Sequence, residues 1–570
     1  MSEQTPPELV RGPTWRRTWP LVVIVFAGLW HATKYFDIFC DDAFIALRYA
    51  KNLIEHHELS YNLGQRVEGF TSPLWVLLVS VAGALGGKIP GATRLFGMGA
   101  AALAFHALSR FWDELEPSAP RLVLAPAAAL AMSAPFAAWT LSGLETPLFV
   151  ALFTLSLALL AREARQPQLR SSLQAGLCVA LCVLCRPEGA TLIAIGSAVI
   201  CLPSRGWPEK RWRRLLAWFA PITLLVGGYE LFRLGYYGYP LPNTFYVKTS
   251  GEGLWQRGLG YLGFAASEFG WVVVGATALA FSYALSAALR SRDEHVPYSS
   301  RVLVVCTSLA VSAHLLYVAR IGGDFLDLYR FLAPLLPVTF CMLTHAAYRL
   351  FLPTAGPPRL ALPMAGVCLL LAHGKSQLAM AREASQVASS PRAALRLEPL
   401  GWTRLYARRW RGIGSWLGRI RTEHDSTAVG AAGALPFHSG MPNLDLFGLN
   451  DLEVARHGRI IGNRPGHQRF ATMDYLLARG PTFIFLNPES TPLGSERLRY
   501  DRYWSSRGYL PIEIRVDREL CGESARVRGG QRSEVFGACA ETFYHQFLVR
   551  RERADSLRGR DDVVVGSALR

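Results

Sequence analysis

Charge is scarce in this chain, and lysine is almost missing from it. Only 18% of the 570 residues are Asp, Glu, Lys or Arg, below the roughly 25% of an ordinary soluble domain. Six of the 60 basic residues are lysine and the other 54 are arginine. This composition excludes a disordered chain, a coiled coil and a collagen. Also missing are an internal repeat, a low-complexity tract, a Walker loop, a His-Glu-x-x-His pair, a paired Cys-x-x-Cys and an EF-hand loop. Nucleotide hydrolysis and the common zinc and calcium sites therefore have no support in sequence. The net charge of +17 invites a nucleic-acid reading. The placement of the apolar residues argues against it.

Those residues come in long blocks. Leu122 to Leu144, Thr146 to Ala161, Phe269 to Leu289, Val302 to Ala319 and Phe331 to Tyr348 carry no formal charge. A bilayer core is crossed by about 20 mainly apolar residues in helix. One such block fits a buried core helix; a series of them describes a mainly α, polytopic membrane protein. Spans are expected near 19–36, 72–88, 92–111, 122–140, 146–161, 171–185, 189–203, 215–235, 263–289, 302–320, 331–350 and 360–373.

Arginine sets their direction. The basic loops 162–170, 204–214 and 290–301 alternate with the loops near Pro187, 239–253 and 322–327. The first set is expected in the cytoplasm and the second outside. Arg11, Arg16 and Arg17 hold the N-terminus inside and mark the first span as an uncleaved signal anchor. Loop 37–71 and Glu145 then both lie outside, which requires an even number of crossings between them. Three apolar segments stand there, so one of 72–88, 92–111 and 122–140 is expected to be re-entrant, short or misread. About 11 crossings of the cytoplasmic (inner) membrane remain.

From about Gly374 the apolar blocks stop, and short strand-like runs such as Thr427–Ala431 and Thr482–Leu486 appear among Gly/Pro turns. The expected division is a membrane domain over 1–373, a helical connector over 374–425 and an extracytoplasmic soluble α/β domain over 426–570. Cys178, Cys182 and Cys185 have an iron–sulfur-like spacing, but they sit in an apolar helix and read as packing. Cys521 and Cys539 are candidates for a disulfide in an oxidising compartment. Gly430 to Gly433 reads as a small-residue turn after a strand.

The chemistry is concentrated in 37–75. Asp41 and Asp42 precede an amphipathic helix with Phe44, Leu47, Tyr49, Leu53 and Ile54 on one face and Arg48, Lys51, Asn52 and Glu55 opposite. Such a helix is expected to lie along the membrane surface. One Asp suffices as an N-cap. The second is available as a general base or a ligand for a hard cation.

The segment Asp41-Asp-Ala-Phe-Ile to Val67-Glu-Gly-Phe-Thr-Ser-Pro-Leu-Trp75 resembles the opening of the GT-C membrane glycosyltransferases, above all the terminal arabinofuranosyltransferases. Further motifs follow in order: Trp139-Thr-Leu-Ser-Gly-Leu-Glu145, Arg186-Pro-Glu188-Gly, Leu241-Pro-Asn243-Thr-Phe-Tyr-Val-Lys248, Gly322-Gly-Asp324-Phe with Arg330, and Gly433-Ala-Leu-Pro to Asp451. The resemblance implies a GT-C fold and inverting transfer of a monosaccharide, with arabinofuranose the nearest likeness. The donor would be a polyprenyl-phosphate sugar and the acceptor an envelope polysaccharide or glycolipid on the outer face.

It implies Asp41 as base with Asp42 beside it and Glu145 as a further catalytic carboxylate. Lys248, Arg320, Arg330 and Arg186 are candidates for the donor phosphate. Glu68, Glu188, Asn243 and Asp324 are expected to line the cavity. An Asp pair can hold Mg²⁺ or Mn²⁺, although a basic phosphate clamp can do without one, so metal use stays open. The competing readings are a transporter or flippase for a lipid-linked sugar, a ligase relying on outside Arg and His, and an envelope-binding module on an inert anchor.

Overall fold

The computed structural model describes residues 15–201, 211–290, 297–351, 361–385, 397–486, 490–491, 498, 502–517 and 542–566. The N-terminal part is helical, as the apolar blocks predict. Its helices are α1 (Trp15–Thr33), α2 (Asp41–His56), α3 (Pro73–Ala84), α4 (Ile89–Leu115), α5 (Leu124–Met132), α6 (Ala134–Thr140), α7 (Thr146–Arg165), α8 (Leu169–Cys185) and α9 (Thr191–Cys201). Next come α10 (Arg211–Ile222) and α11 (Gly228–Tyr237), joined by a π-helical stretch over Thr223–Gly227 just after Pro221. Proline takes an N–H out of the helical ladder, and a π-bulge absorbs the misfit. Then follow α12 (Asn243–Lys248), α13 (Leu254–Phe269), α14 (Trp271–Arg290), α15 (Tyr298–Arg320), α16 (Leu336–Phe351) and α17 (Ala361–Ala384).

Among the described residues, 5 helices are long and apolar enough to cross a membrane, or up to 6 with the bent α5–α6 pair. The chain is therefore a membrane protein. About 11 crossings require shorter apolar helices, such as α8 and α9, to span as well.

The conflict over crossings between 37 and 145 resolves at 72–88. Helix α3 has 12 residues, too few for a bilayer, and it returns to the end from which it started. A Cβ on Gly83, near its last turn, would touch Ile54 of α2, and Arg94 in the next helix donates to the Phe36 carbonyl at 2.9 Å. Helix α4 then runs to the far end, where Glu116 pairs with Arg349 at 2.7 Å. The α5–α6 pair, bent by 64°, comes back to Thr140. That leaves α4 and the bent pair as the two stretches that join the ends, an even number.

The C-terminal part is an α/β region. Helix α18 (Leu400–Ile420) packs against α19 (Ala434–Ser439). A seven-stranded sheet has the order β2-β1-β5-β8-β7-β9, with β6 (Ser490–Thr491) also pairing β8. Strands β1 (Thr427–Val429), β2 (Asn443–Asp445) and β5 (Phe483–Phe485) are parallel, in the register Val429↔Asp445 and Val429↔Phe485. Strands β7 (Tyr509–Asp517), β8 (Thr542–Arg550) and β9 (Val563–Val565) are antiparallel. A hairpin of β3 (Arg459–Ile460) and β4 (Arg469–Phe470) stands apart. Cys521 and Cys539 lie outside the described residues.

Helix α2 corrects one expectation. It does not present a polar face outward over its first turns but is clasped between α3 and the C-terminal region. Arg48, placed on the polar face by its spacing, is buried. It donates to the carbonyls of Tyr61 and Met441, each at 2.7 Å, and to that of Pro436. Backbone carbonyls, each with two lone pairs, satisfy a guanidinium that would otherwise be costly to bury.

Candidate active site

A cavity of about 430 Å³ lies where the helical part meets the C-terminal region. Its walls come from distant parts of the chain: the start of α2, the Arg186–Thr191 turn, α12, the Gly323–Phe331 loop, α18, and the loops that follow β1 and β2. Those last two loops leave the carboxyl ends of neighbouring parallel strands, where open α/β sheets characteristically bind ligands.

Asp41 and Asp42 are adjacent in sequence but have different surroundings. The Asp41 carboxylate accepts from the backbone N–H of Ala434 at 2.8 Å and of Gly433 at 3.2 Å. It thereby ties α2 to the first turn of α19. A Cβ on Gly433 would lie 1.9 Å from the Asp41 carbonyl oxygen, so glycine is what permits this approach. Burial lifts the Asp41 carboxyl to about 7, opposed by the two backbone donors and reinforced by Asp42.

Asp42 is the open member. Its side chain keeps 34% of its exposure, and its nearest ionic neighbour is Arg330, at 4.0 Å. Burial raises its carboxyl above the usual range, while Arg330 and Lys248 pull it down.

The cations differ in the same way. Arg330 forms a two-pronged pair with Asp324, Nε to Oδ2 at 2.8 Å and Nη2 to Oδ1 at 3.0 Å. The turn ahead of it is strained: Leu328 and Tyr329 have φ of 53° and 44°, a region that costs non-glycine residues about 1–3 kcal/mol each. The indole N–H of Trp139 holds that turn by donating to the Leu328 carbonyl at 3.0 Å. Arg186 donates to Glu145 at 2.6 Å and also to Glu188.

Lys248 makes no ion pair within 4.0 Å among the described residues, although Asp42 and Asp324 act on it through space. Burial, then Arg330, push its ammonium below the ordinary value. One cation is thus left without a close counter-charge, facing the same cavity as the open carboxylate.

Of the residues singled out in sequence, Asp41, Asp42, Arg186, Glu188, Lys248, Asp324 and Arg330 line this cavity. Four do not. Glu145 lies behind Arg186 and orients it. Glu68 is occupied by Arg233 and the Tyr229 hydroxyl, each at 2.6 Å. Asn243 uses its amide to reach the carbonyls of Gly448, Leu449 and Asp451, holding the β2 loop to α12. Arg320 is exposed at the last turn of α15, where a cation suits the helix dipole.

Sequence reading missed the walls from the C-terminal part. Glu398 pairs with Arg464 and faces the cavity with Tyr406, Phe447 and His467. Burial, then Arg464, drive His467 down to about 3, so it is neutral at ordinary pH. Asp445 stands behind the β2 loop and accepts from the N–H groups of Phe447, Gly448 and Asn450. The available signal was a strand followed by the small-residue run Gly430–Gly433, which seats a neighbouring backbone.

A divalent cation fits this donor set poorly. Each Asp41 oxygen already accepts one backbone N–H, Asp42 is held by the field of Arg330 and Lys248, and among the described residues no group of three or more His, Cys, Asp or Glu could hold a metal ion.

The chain is similar to the terminal β-(1→2)-arabinofuranosyltransferase of Mycobacterium tuberculosis, at 28% identity over 360 residues covering 59% of this chain and 55% of the relative. It is also similar to the enzyme of the same name from Corynebacterium glutamicum, at 26% over 341 residues covering 52% and 46%. The resemblance read from the motifs is borne out by these two relatives. The chain spans about half the length of the curated relatives it matches.

Residues 400–536 match a family model described as a Domain of unknown function (DUF8728). Among solved structures, ArnT from Cupriavidus metallidurans bound to undecaprenyl phosphate is 12% identical, covers 76% of this chain and 86% of its own, and has a TM-score of 0.49. The mycobacterial arabinofuranosyltransferase AftD is 15% identical, covers 93% and 41%, and has a TM-score of 0.47. Both likenesses are too loose to carry function.

Proposed function

We propose that the chain is an inverting membrane glycosyltransferase of the GT-C kind. It would move a monosaccharide from a polyprenyl-phosphate donor to an envelope glycan or glycolipid on the outer face of the cytoplasmic membrane. The observation that carries this reading is the juxtaposition of one open carboxylate, Asp42, with one uncompensated cation, Lys248, in a single cavity. The names of the two curated relatives favour arabinofuranose as the sugar. The alternation of arginine-rich loops supports the outer face.

The chemistry follows from the charges. A hydroxyl of the acceptor attacks the anomeric carbon while the bond from that carbon to the phosphate oxygen breaks, and its electron pair leaves with the polyprenyl phosphate. The hydroxyl proton passes to the Asp42 carboxylate. Proton removal by a positioned base contributes roughly 10²–10⁴-fold. Negative charge accumulates on the departing phosphate, where Lys248 and Arg330 stabilise it, an interaction strengthened in a water-poor cavity. Attack from the face opposite the leaving group inverts the anomeric centre.

Asp41, expected from the resemblance to be the base, serves in this reading to hold the C-terminal wall against the site. No step is routed through a metal.

The test is to incubate purified protein with several polyprenyl-phosphate sugars and fractionated envelope acceptors, with and without EDTA. Transfer from one lipid-linked sugar, undiminished by EDTA and with inverted product, is expected. A protein that moves such lipids between leaflets of a vesicle but transfers no sugar would be a flippase instead.

A further inference from the structure

A second cavity, of about 810 Å³, opens beside the first. The two share Phe447 and His467 as a common wall. The His467 ring packs edge-on against Phe447 with centroids 4.5 Å apart, and against Phe325 at 5.0 Å. The remaining walls come from the start of α13, with Gln256 and Arg257, and from the β3–β4 hairpin, with Ile460, Ile461 and Asn463.

This wall chemistry differs from that of the first cavity. Amide, carboxylate and guanidinium groups stand beside Ile460 and Ile461, both about half exposed. Mixed donors and acceptors next to a small apolar patch suit sugar rings, which present hydroxyls at their edges and C–H groups on their faces. Arg464 lines this cavity too, and its buried Nε has no hydrogen-bond partner among the described residues. A buried donor left over in this way calls for an acceptor. The volume falls in the range of about 300–1,000 Å³ that ligand clefts occupy.

We propose that this second cavity binds the glycan chain of the acceptor, at sugars one or more residues behind the reacting hydroxyl, on the far side of the Phe447–His467 wall. The inference rests on the glycosyl-transfer reading and names where acceptor length is recognised. A monosaccharide acceptor would occupy the first cavity alone; a longer chain would engage both.

Gly462 offers a clean way to test this. It lines the second cavity, a Cβ there meets nothing within 4 Å and its φ is not left-handed, so Gly462→Trp adds bulk at the cavity wall without forcing the backbone. Full-length protein in detergent, without donor, would be titrated with the octyl glycosides of an arabinofuranose disaccharide and hexasaccharide. The folded state of each variant would be checked by its Tm. A second variant, Gln256→Ala with Asn463→Ala, thins the wall instead of plugging it.

The hexasaccharide Kd should rise about tenfold or more in Gly462→Trp, equivalent to about 1.4 kcal/mol. It should rise less in the double variant, and the disaccharide Kd should stay within about twofold. An unchanged hexasaccharide Kd in Gly462→Trp, an equal loss for both lengths, or a wild type that does not bind the hexasaccharide more tightly would overturn the proposal. Because binding is read without donor, these outcomes are separate from a failure of the transferase reading, which would appear as no sugar transfer from any lipid donor by the wild type.

Discussion

Both ends of the helical bundle bury carboxylates against arginines, but with different results. At the end where α7 stops and α10 begins, Glu163 accepts from Arg214 Nε at 2.9 Å and from the Ser172 hydroxyl at 3.0 Å. Close by in the fold, Glu116 takes Arg349 at 2.7 and 3.1 Å, and Glu114 takes Arg165 at 2.8 Å. Each carboxylate there has an arginine, and none of these residues lines either cavity described.

At the other end, Arg330 is spent on Asp324, Arg186 on Glu145 and Glu188, and Arg464 on Glu398. Asp42 keeps only a long contact to Arg330, at 4.0 Å, and Lys248 has no ion pair among the described residues. Buried ion pairs contribute little net stability, and breaking one is what costs. A charge kept in a cavity without a close partner therefore points to a ligand. The same residue types mark architecture at one end and chemistry at the other, and completeness of pairing separates them.

Substitutions at the two ends should sharpen this contrast. Asp42→Asn removes the proposed base and should lower kcat by about 10³-fold, with donor binding retained. Lys248→Gln takes away the unpaired cation. It should reduce kcat by about 10²-fold and raise the donor KM, as steady-state kinetics would show.

Asp41→Asn should cost about tenfold in kcat, the scale of a lost charge-assisted hydrogen bond, and should also change the pH dependence of stability. Its carboxyl stands at about 7 in the folded protein, against about 3.9 unfolded. Between those values the folded state holds a proton that the unfolded chain has released. This group's contribution to stability therefore falls as pH rises through that window and levels off above it. Melting curves of Asp41→Asn from pH 4 to 8 should lack that decline.

Glu163→Ala, at the closed end, should leave kcat unchanged while lowering Tm. It strands Arg214, which costs about 3–5 kcal/mol.

How much of this could be read in the sequence depends on what spacing encodes. Motif order and arginine alternation gathered Asp42, Arg186, Lys248, Asp324 and Arg330 at one end, because helix direction fixes which loops share a side. Spacing does not say where a side chain's atoms are used up. Glu145, Glu68 and Asn243 stand at that end as expected, yet bond to Arg186, Arg233 and the β2 loop instead of facing the cavity.

The parity conflict showed that one segment failed to cross. Only the return of α3 to α2 identifies it, since its twelve residues are as apolar as a true span. The walls from Gly430, Phe447 and His467 were out of reach because they depend on contacts between distant stretches of chain, Gly433 with Asp41 and His467 with Phe325 among them. Arg48 was misassigned for the same reason: two of its partners are carbonyls of the C-terminal region.

The most direct measurement is single-turnover sugar transfer by wild type, Asp42→Asn and Asp41→Asn, with polyprenyl-phosphate arabinofuranose and an arabinofuranose acceptor, the product's anomeric configuration being read by NMR. An inverted product is expected, with transfer slowed about 10³-fold in Asp42→Asn while the donor stays bound, and slowed only about tenfold in Asp41→Asn. Transfer at the wild-type rate in Asp42→Asn, or a retained anomeric configuration, would contradict this mechanism.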